Sequence, residues 1–590
     1  MSNSNKIPIF DAYAVCSYGG FYGKYDRTGD YERFLSFGRD IRVTQIFRLQ
    51  ERQSIFLLLE FVDNEGVTQH LLIPRSQIAQ PEFYERLLEV GADVVVKSSH
   101  QLQAHLNKQF ASLKLSHFLH TTLGWRVCQG ELAFLSYRST GKKSRYIGQW
   151  DVAPAGEFKQ WRKMVRKDVL PYDNLSVALL IGLSAPVSAI IAESTDICNP
   201  VYSIAGNSSR GKTTCGILAA STLFNPTSGT AQSQNFLGED CERTGGLMSW
   251  NATDNILLSR LQDFNGVVAV IDELSKFQKA DVSQTVYALS DGVEKARMGK
   301  DLSQRKTSKF RATIISIGEE RLTDRCLSDK DGVRARIMEI DGDMTVDADH
   351  SERIVSCCRQ NHGHAAPKLA KWIIQNGGGE LVIKTFKRWK REFLNVAPEN
   401  HYAPRRIEKF VAPLMTTAEL CRTALGLDFD TERLRRYFVE VLEQDNISDD
   451  LPTRAYHDFI SYVAEFRANF DIHHDNVKHF GRIYERNEIP RGKGRALSPN
   501  LLREVAIRFN EFDRFLQSHR YGNKHLILQS WKARGLLNCE DGKLYRKRQI
   551  DGIVERLYVV CFFTDSCSED GQGTPTRHHP TVLTENDLEE

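Results

Sequence analysis

Apolar and polar residues follow several distinct rhythms along this chain. From Val177 to Ala192 the pattern is almost wholly apolar, broken by Gly182, Ser184, Pro186 and Ser188. It is too short and too interrupted to cross a bilayer, and it reads as a buried helix pair. Three mostly apolar runs follow: Pro200–Ala205, Val267–Ile271 and Ala312–Ile317. Runs apolar on both faces suit the buried strands of a parallel sheet. After the first run, Ile217, Leu218 and Leu223 with the small Ala219 and Ala220 predict a packed helix over Thr214 to Leu223. Ser351 to Leu442 has the longer period of amphipathic helices and reads as a helical lid.

Both ends of the chain have shorter rhythms. Residues 41–47, 54–62 and 67–73 predict three strands, with Asp63-Asn64-Glu65-Gly66 as a turn, followed by helices through Phe83–Leu88 and Gln101–Leu115. Thr121 to Tyr146 predicts short strands. Leu526–Leu537 predicts a helix stopped by Gly535, and Lys543–Arg548 and Val554–Val560 predict a β-hairpin. Helix followed by basic hairpin resembles a winged helix, a module that contacts either nucleic acid or protein. Ser566 to Glu590 is rich in Gly, Pro, Thr and acids, so it predicts a disordered tail.

The expected organisation is therefore multidomain α/β. A small α+β module spans 1–118, a core spans 119–350, a helical lid 351–450, a winged-helix-like module 451–565 and a tail 566–590. The 590 residues are too many for one core. Hydrophobic content of 41% and charged content of 26% are those of a soluble protein, and no apolar leader follows Met1. The 12 cysteines show no C-x-x-C spacing, which predicts reduced thiols in the cytoplasm and no zinc site. No membrane role is expected. The net charge of +3 says little, because the cations are clustered.

Chemistry concentrates at the strand ends. Gly206-Asn207-Ser208-Ser209-Arg210-Gly211-Lys212-Thr213 fits G-x-x-x-x-G-K-[ST] and sits between a predicted strand and a predicted helix. The match predicts the phosphate loop of a P-loop NTPase. The glycines let successive N–H groups face a phosphate, and the helix N-terminus adds its positive end. Gly206 through Thr214 would hold ATP, with Lys212 on the outer phosphates and Thr213 on Mg²⁺. Asp272 lies 60 residues after Lys212 and ends the second run, followed by Glu273. Asp272 would serve the Mg²⁺ and Glu273 would be the general base for the attacking water. Ser316, polar within the third run, either orients that water or is satisfied by the backbone.

Between these strands come Lys295, Arg297, Lys300, Arg305, Lys306, Lys309 and Arg311. In ring-forming ATPases an insertion here faces the central pore, where cations grip a passing polyanion without reading its sequence. Lys295, Arg297 and Lys300 are the expected nucleic-acid contacts. Gly332–Ile340 offers Arg334 and Arg336 on an extended segment, and one of them, first Arg336, would act in trans on the γ-phosphoryl group.

The ordered set resembles a known family. It comprises the phosphate loop, Trp250-Asn251-Ala252-Thr253, Asp272-Glu273-Leu274, Tyr287 through Arg297, Ser316-Ile317-Gly318-Glu319 and Asn361-His362-Gly363-His364-Ala365. It looks like the bacterial and phage ATPase family known as domain of unknown function 927, over about Gly124 to Leu427. The resemblance implies an AAA+ or superfamily 3-like helicase core related to ring helicases. The expectation is an oligomeric, hexameric, ATP- and Mg²⁺-dependent motor on DNA, with an effector or replication protein as a further partner. The alternative is a regulatory ATPase switch that assembles with a nuclease or other effector, as in phage defence.

Overall fold

The computed structural model describes residues 15–563, apart from 294–308, 327–331, 397–402, 472–476, 491–497 and shorter stretches that include 207–209. At its centre four parallel strands run in the order Ile337–Asp341, Val201–Ala205, Arg311–Ile317 and Phe264–Asp272. Their interior residues are buried, as the continuous apolar runs require. The strand that starts at Arg311 separates the strand leading to the phosphate loop from the strand ending in Asp272. Leu247–Ser249 pairs with the carboxyl half of the Asp272 strand, with Ser249 opposite Asp272. The Leu123–Cys128 and Glu131–Leu135 hairpin extends the sheet from the start of that strand.

One helix, Asp173–Ser194, lies against this sheet where the sequence predicts a pair. The helix continues through Pro186, whose carbonyl accepts the Trp125 indole N–H at 2.8 Å. Packing on all sides holds it, which is why the loss of one backbone N–H does not split it. It is long and apolar enough to cross a membrane, but 89% of its most apolar window is buried inside the protein. Gly182 lets the helix Lys212–Ala220 approach closely, since a Cβ there would lie 2.8 Å from the Ala219 Cα. That contact seats the helix Lys212–Ala220 against the helix Asp173–Ser194. The helices Ala348–Gln360, Ala365–Gln375, Gly378–Leu394, Ala412–Ala424 and Thr431–Asp449 share one buried cluster with the sheet, running from Leu123 to Leu442.

Towards the N-terminus, Ile41–Leu49, Ile55–Val62 and Thr68–Pro74 form the expected meander. Leu115–His120 and Ser144–Tyr146 complete that sheet, so the predicted helix through Leu115 ends instead at Ser112. Cys16–Tyr18, Phe21–Thr28 and Tyr31–Arg39 form a further three-stranded sheet that the sequence pattern did not reveal. At the other end, helices Leu451–Glu465, Phe509–Ser518 and Lys524–Ala533 surround an aromatic core of Phe459, Phe512, Phe515, Trp531 and Phe562. The predicted hairpin is Arg546–Ile550 with Ile553–Phe563, and it belongs to a four-stranded sheet with Gly481–Glu485 and Leu501–Arg508.

Candidate nucleotide site

Gly211 caps the helix Lys212–Ala220 in the left-handed region, at φ 83°. A Cβ at this position would lie 2.5 Å from the Thr345 Oγ1, so the loop admits only glycine here. The chain after the strand Ile337–Asp341 wraps the loop. Met344 N–H donates to the Arg210 carbonyl at 3.0 Å, and the Arg210 guanidinium meets Asp343 at 2.6 Å. Thr214 and Ser351 hydroxyls lie 2.5 Å apart. Lys212 is buried at the helix start. Gly206 opens the Gly206–Thr213 segment directly after the strand Val201–Ala205, and Asn207, Ser208 and Ser209 lie outside the described residues.

Lys212, Thr213, Thr214, Asp272 and Glu273 line one cavity of about 510 Å³. The sheet makes this possible, because the strand to the loop and the strand to Asp272 run parallel and end at the same edge. Burial pushes the Asp272 carboxyl up from its ordinary range, opposed by hydrogen bonds from the Glu273 N–H and the Thr213 hydroxyl. Thr213 and Asp272 thus bring two oxygen donors together, the donor type that a hard divalent cation takes. Among the described residues no group of three or more His, Cys, Asp or Glu could hold a metal. A cation here would complete its shell with phosphate and water, as Mg²⁺ does.

Glu273 adopts φ 66° and ψ 52°. One carboxylate oxygen lies 2.5 Å from the Lys276 ammonium, and the other accepts the Ser249 hydroxyl at 3.2 Å. The Lys276 hydrogen bond holds the Glu273 carboxyl below its ordinary range, so it is ionised. The sequence pattern did not single out Ser249 or Lys276. Ser249 directly precedes the quoted Trp250-Asn251, and Lys276 lies three residues after Glu273, so both were close to the signal.

Two sequence candidates stand elsewhere. Ser316 is buried within the sheet, where its oxygen accepts the Trp250 indole N–H at 3.1 Å. The cavity is lined instead by the next residues, Ile317, Gly318 and Glu319. Arg336 is in a turn, not on an extended segment, and only Ile337–Asp341 is strand. Ile337 pairs with Val201, so Arg336 stands at the sheet end opposite the phosphate loop. There its guanidinium lies 4.4 Å from the Tyr287 ring centre, donates to the Gly332 carbonyl and faces Asp291 at 3.6 Å. Arg334, Lys295, Arg297 and Lys300 lie outside the described residues. An arginine that the sequence pattern did not single out, Arg321, sits at the loop end of the sheet. Its Nε meets Asp341 at 3.2 Å, and Asp341 pairs with Ala205.

Known proteins share parts of this architecture. A family model described as "Domain of unknown function (DUF927)" matches residues 19–309, and one described as "Cch helix turn helix domain" matches residues 450–567. No curated protein matches. A solved structure titled "SCCmec type IV Cch - active helicase" is 20% identical and covers 94% of this chain and 98% of that one, with a TM-score of 0.70. The two share a fold. The first family match begins well before Gly124, taking in most of the N-terminal module, and ends at residue 309, short of the expected Leu427 and of the Ser316–Glu319 and Asn361–Ala365 segments.

Proposed function

We propose that this protein is an oligomeric ATP hydrolase that moves on DNA, a helicase or translocase with a P-loop core of AAA+ or superfamily 3 type. The observation that carries this reading is the single cavity that gathers Lys212, Thr213, Asp272 and Glu273 from two strands that are not neighbours. The shared fold with a structure titled as an active helicase agrees with it.

Each residue has a role that its chemistry allows. The Lys212 ammonium and the N–H groups of the loop and helix start hold the phosphates of ATP. The cleft next to the cavity, about 1020 Å³ and sharing Glu352 with it, has room for the nucleoside. Mg²⁺, held by Thr213 and Asp272, would neutralise developing phosphate charge. Glu273, ionised and at the cavity wall, takes the proton of the attacking water at its carboxylate. Ser316 keeps the sheet edge in register through Trp250. Arg336 serves a neighbouring subunit, because in its own chain it faces away from the site. Lys295, Arg297 and Lys300 contact the DNA backbone.

The test is Glu273→Gln. This variant keeps the shape of the site and removes the base. It binds ATP as the wild type does, loses hydrolysis by at least about 100-fold, and accumulates a stable complex with DNA and ATP. Hydrolysis at the wild-type rate would overturn the assignment of the base.

A further inference from the structure

The helix Ala348–Gln360 starts at the nucleotide cavity and runs on along the neighbouring cleft. Ala348, Ser351 and Glu352 line the cavity. Asp349, Glu352, Arg353, Ser356 and Gln360 line the cleft. At about 3.6 residues per turn these sets form two adjoining stripes, and Glu352 stands where they meet. Among the described residues it alone lines both spaces.

Several contacts fix this helix beside the phosphate loop. The Ser351 hydroxyl lies 2.5 Å from that of Thr214, the residue after Thr213. Asp347 caps the helix by accepting the His350 N–H at 2.7 Å. The His350 Nε2 lies 2.7 Å from the Asp168 carbonyl oxygen, and the Arg353 guanidinium meets the Asp168 carboxylate at 3.3 Å. These bonds engage Asp347, Asp168 and Arg353. Glu352 is different: it is exposed, and among the described residues nothing pairs with it.

The place of Glu352 says what it can meet. Asp272 and Glu273 mark the end of the cavity where the γ-phosphoryl group is cleaved, so the nucleoside leaves by another side. The cleft adjoins the cavity at Glu352, which is where a chain of phosphates gives way to a sugar. From Glu352 to Gln360 the helix rises about 12 Å, which leaves length for a base beyond that sugar. An ionised carboxylate only accepts hydrogen bonds, and a sugar with neighbouring hydroxyls offers donors. Bonds of this charge-assisted kind are stronger than neutral ones.

We propose that Glu352 reads the sugar of the bound nucleotide. Its carboxylate accepts hydrogen bonds from the 2′- and 3′-hydroxyls of ribose, so the site takes ribonucleotides in preference to 2′-deoxynucleotides. A nucleotide that lacks the 2′-hydroxyl forfeits one of these bonds, and a site built around a hydroxyl discriminates against the analogue without it. The inference rests on the reading that the cavity holds ATP, and it adds the sugar specificity of that site.

The test measures binding without turnover. The full chain, with Mg²⁺, is titrated calorimetrically with ADP and with 2′-deoxy-ADP. Wild type is expected to bind ADP about tenfold more tightly, the size of one hydrogen bond to a charged group. Glu352→Ala is expected to bind ADP more weakly and to bring the two nucleotides within about twofold of each other. Glu352→Gln, which keeps the shape and one neutral acceptor, is expected to retain part of the preference. Lys212→Ala is expected to weaken both nucleotides alike, because it acts on the phosphates. Equal binding of the two nucleotides by wild type would overturn the proposal. So would a preference that survives Glu352→Ala, including an equal loss on both nucleotides, which is what a purely structural role would give. If Lys212→Ala weakens ADP but wild type shows no sugar preference, the ATPase reading survives and the sugar proposal fails. ADP binding that is indifferent to Lys212→Ala would overturn both.

Discussion

Glu273 occupies a left-handed backbone conformation that non-glycine residues rarely adopt, and its carboxylate is held by Lys276 and Ser249. Strain of this kind persists where the surrounding structure imposes it. Here the Asp272 strand ends and the chain turns sharply, which aims the Asp272 and Glu273 carboxylates at one cavity. The contact with Lys276 makes a pH prediction. It lowers the carboxyl pKa, so Glu273 stays ionised further into acid. In Lys276→Met the pKa returns toward its ordinary value. The acid limb of the pH–rate profile for ATP hydrolysis then moves to higher pH, because protonated Glu273 cannot accept the water's proton. An acid limb that stays in place would show that Glu273 is not the base or that Lys276 does not hold it during turnover. The Gly211–Lys212 helix start and the Asp272-Glu273 strand end, which line one cavity, were legible in the sequence because their requirements are local. Gly211 must take a left-handed conformation, and the neighbouring strand must be apolar on both faces. Ser249 and Arg321 were not legible, because their partners Glu273 and Asp341 come close only through strand pairing.

At the scale of elements, a short polar chain ties the strands to the segment that carries Arg321. The Thr323 N–H donates to Glu339 Oε1 at 3.0 Å, and the Leu322 N–H donates to the Ser203 hydroxyl at 3.2 Å. Ser203 in turn donates to Glu339. The Glu339 Oε2 is buried without a hydrogen-bond partner among the described residues. Burial pushes its carboxyl up to about 7, from an ordinary 4.5. A folded pKa above the unfolded one stabilises the fold fully below about 4.5, and that stability is lost as pH rises through about 7. Glu339→Gln removes this loss. Melting followed from about pH 4.5 to about pH 7 is expected to show wild type falling relative to the variant, with the two curves parallel at higher pH; curves parallel throughout would contradict the account. Element prediction failed where a tertiary partner overrode the local pattern. The helix Asp173–Ser194 passes through Gly182 and Pro186 because packing encloses it. The strand Leu501–Arg508 was hidden because its interior Glu504 is a charge, buried only because Arg548 and Asn538 meet it.

At the scale of the whole molecule, the sheet, the helices from Ala348 to Asp449 and the phosphate loop share one core. Tyr437 in the helix Thr431–Asp449 donates to Asn174 at 2.9 Å, and Asn174 donates to the Asp343 carbonyl at 3.0 Å. Asp343 holds Arg210 of the loop, so a continuous set of contacts links the helical region to the phosphate site. In the motor proposed above, these contacts would join the nucleotide cavity to the helical region. The order of the central strands could not be read from the sequence, since strand order depends on which runs pair and not on where they fall along the chain. The most direct test of the central claim is steady-state ATP hydrolysis by the purified protein with single-stranded DNA, duplex DNA, RNA or no polymer, with Lys212→Ala as the blank. The account predicts hydrolysis that DNA stimulates strongly and that Lys212→Ala abolishes. Hydrolysis indifferent to every polymer would contradict the motor and point to a nucleotide-controlled switch that acts on a protein partner.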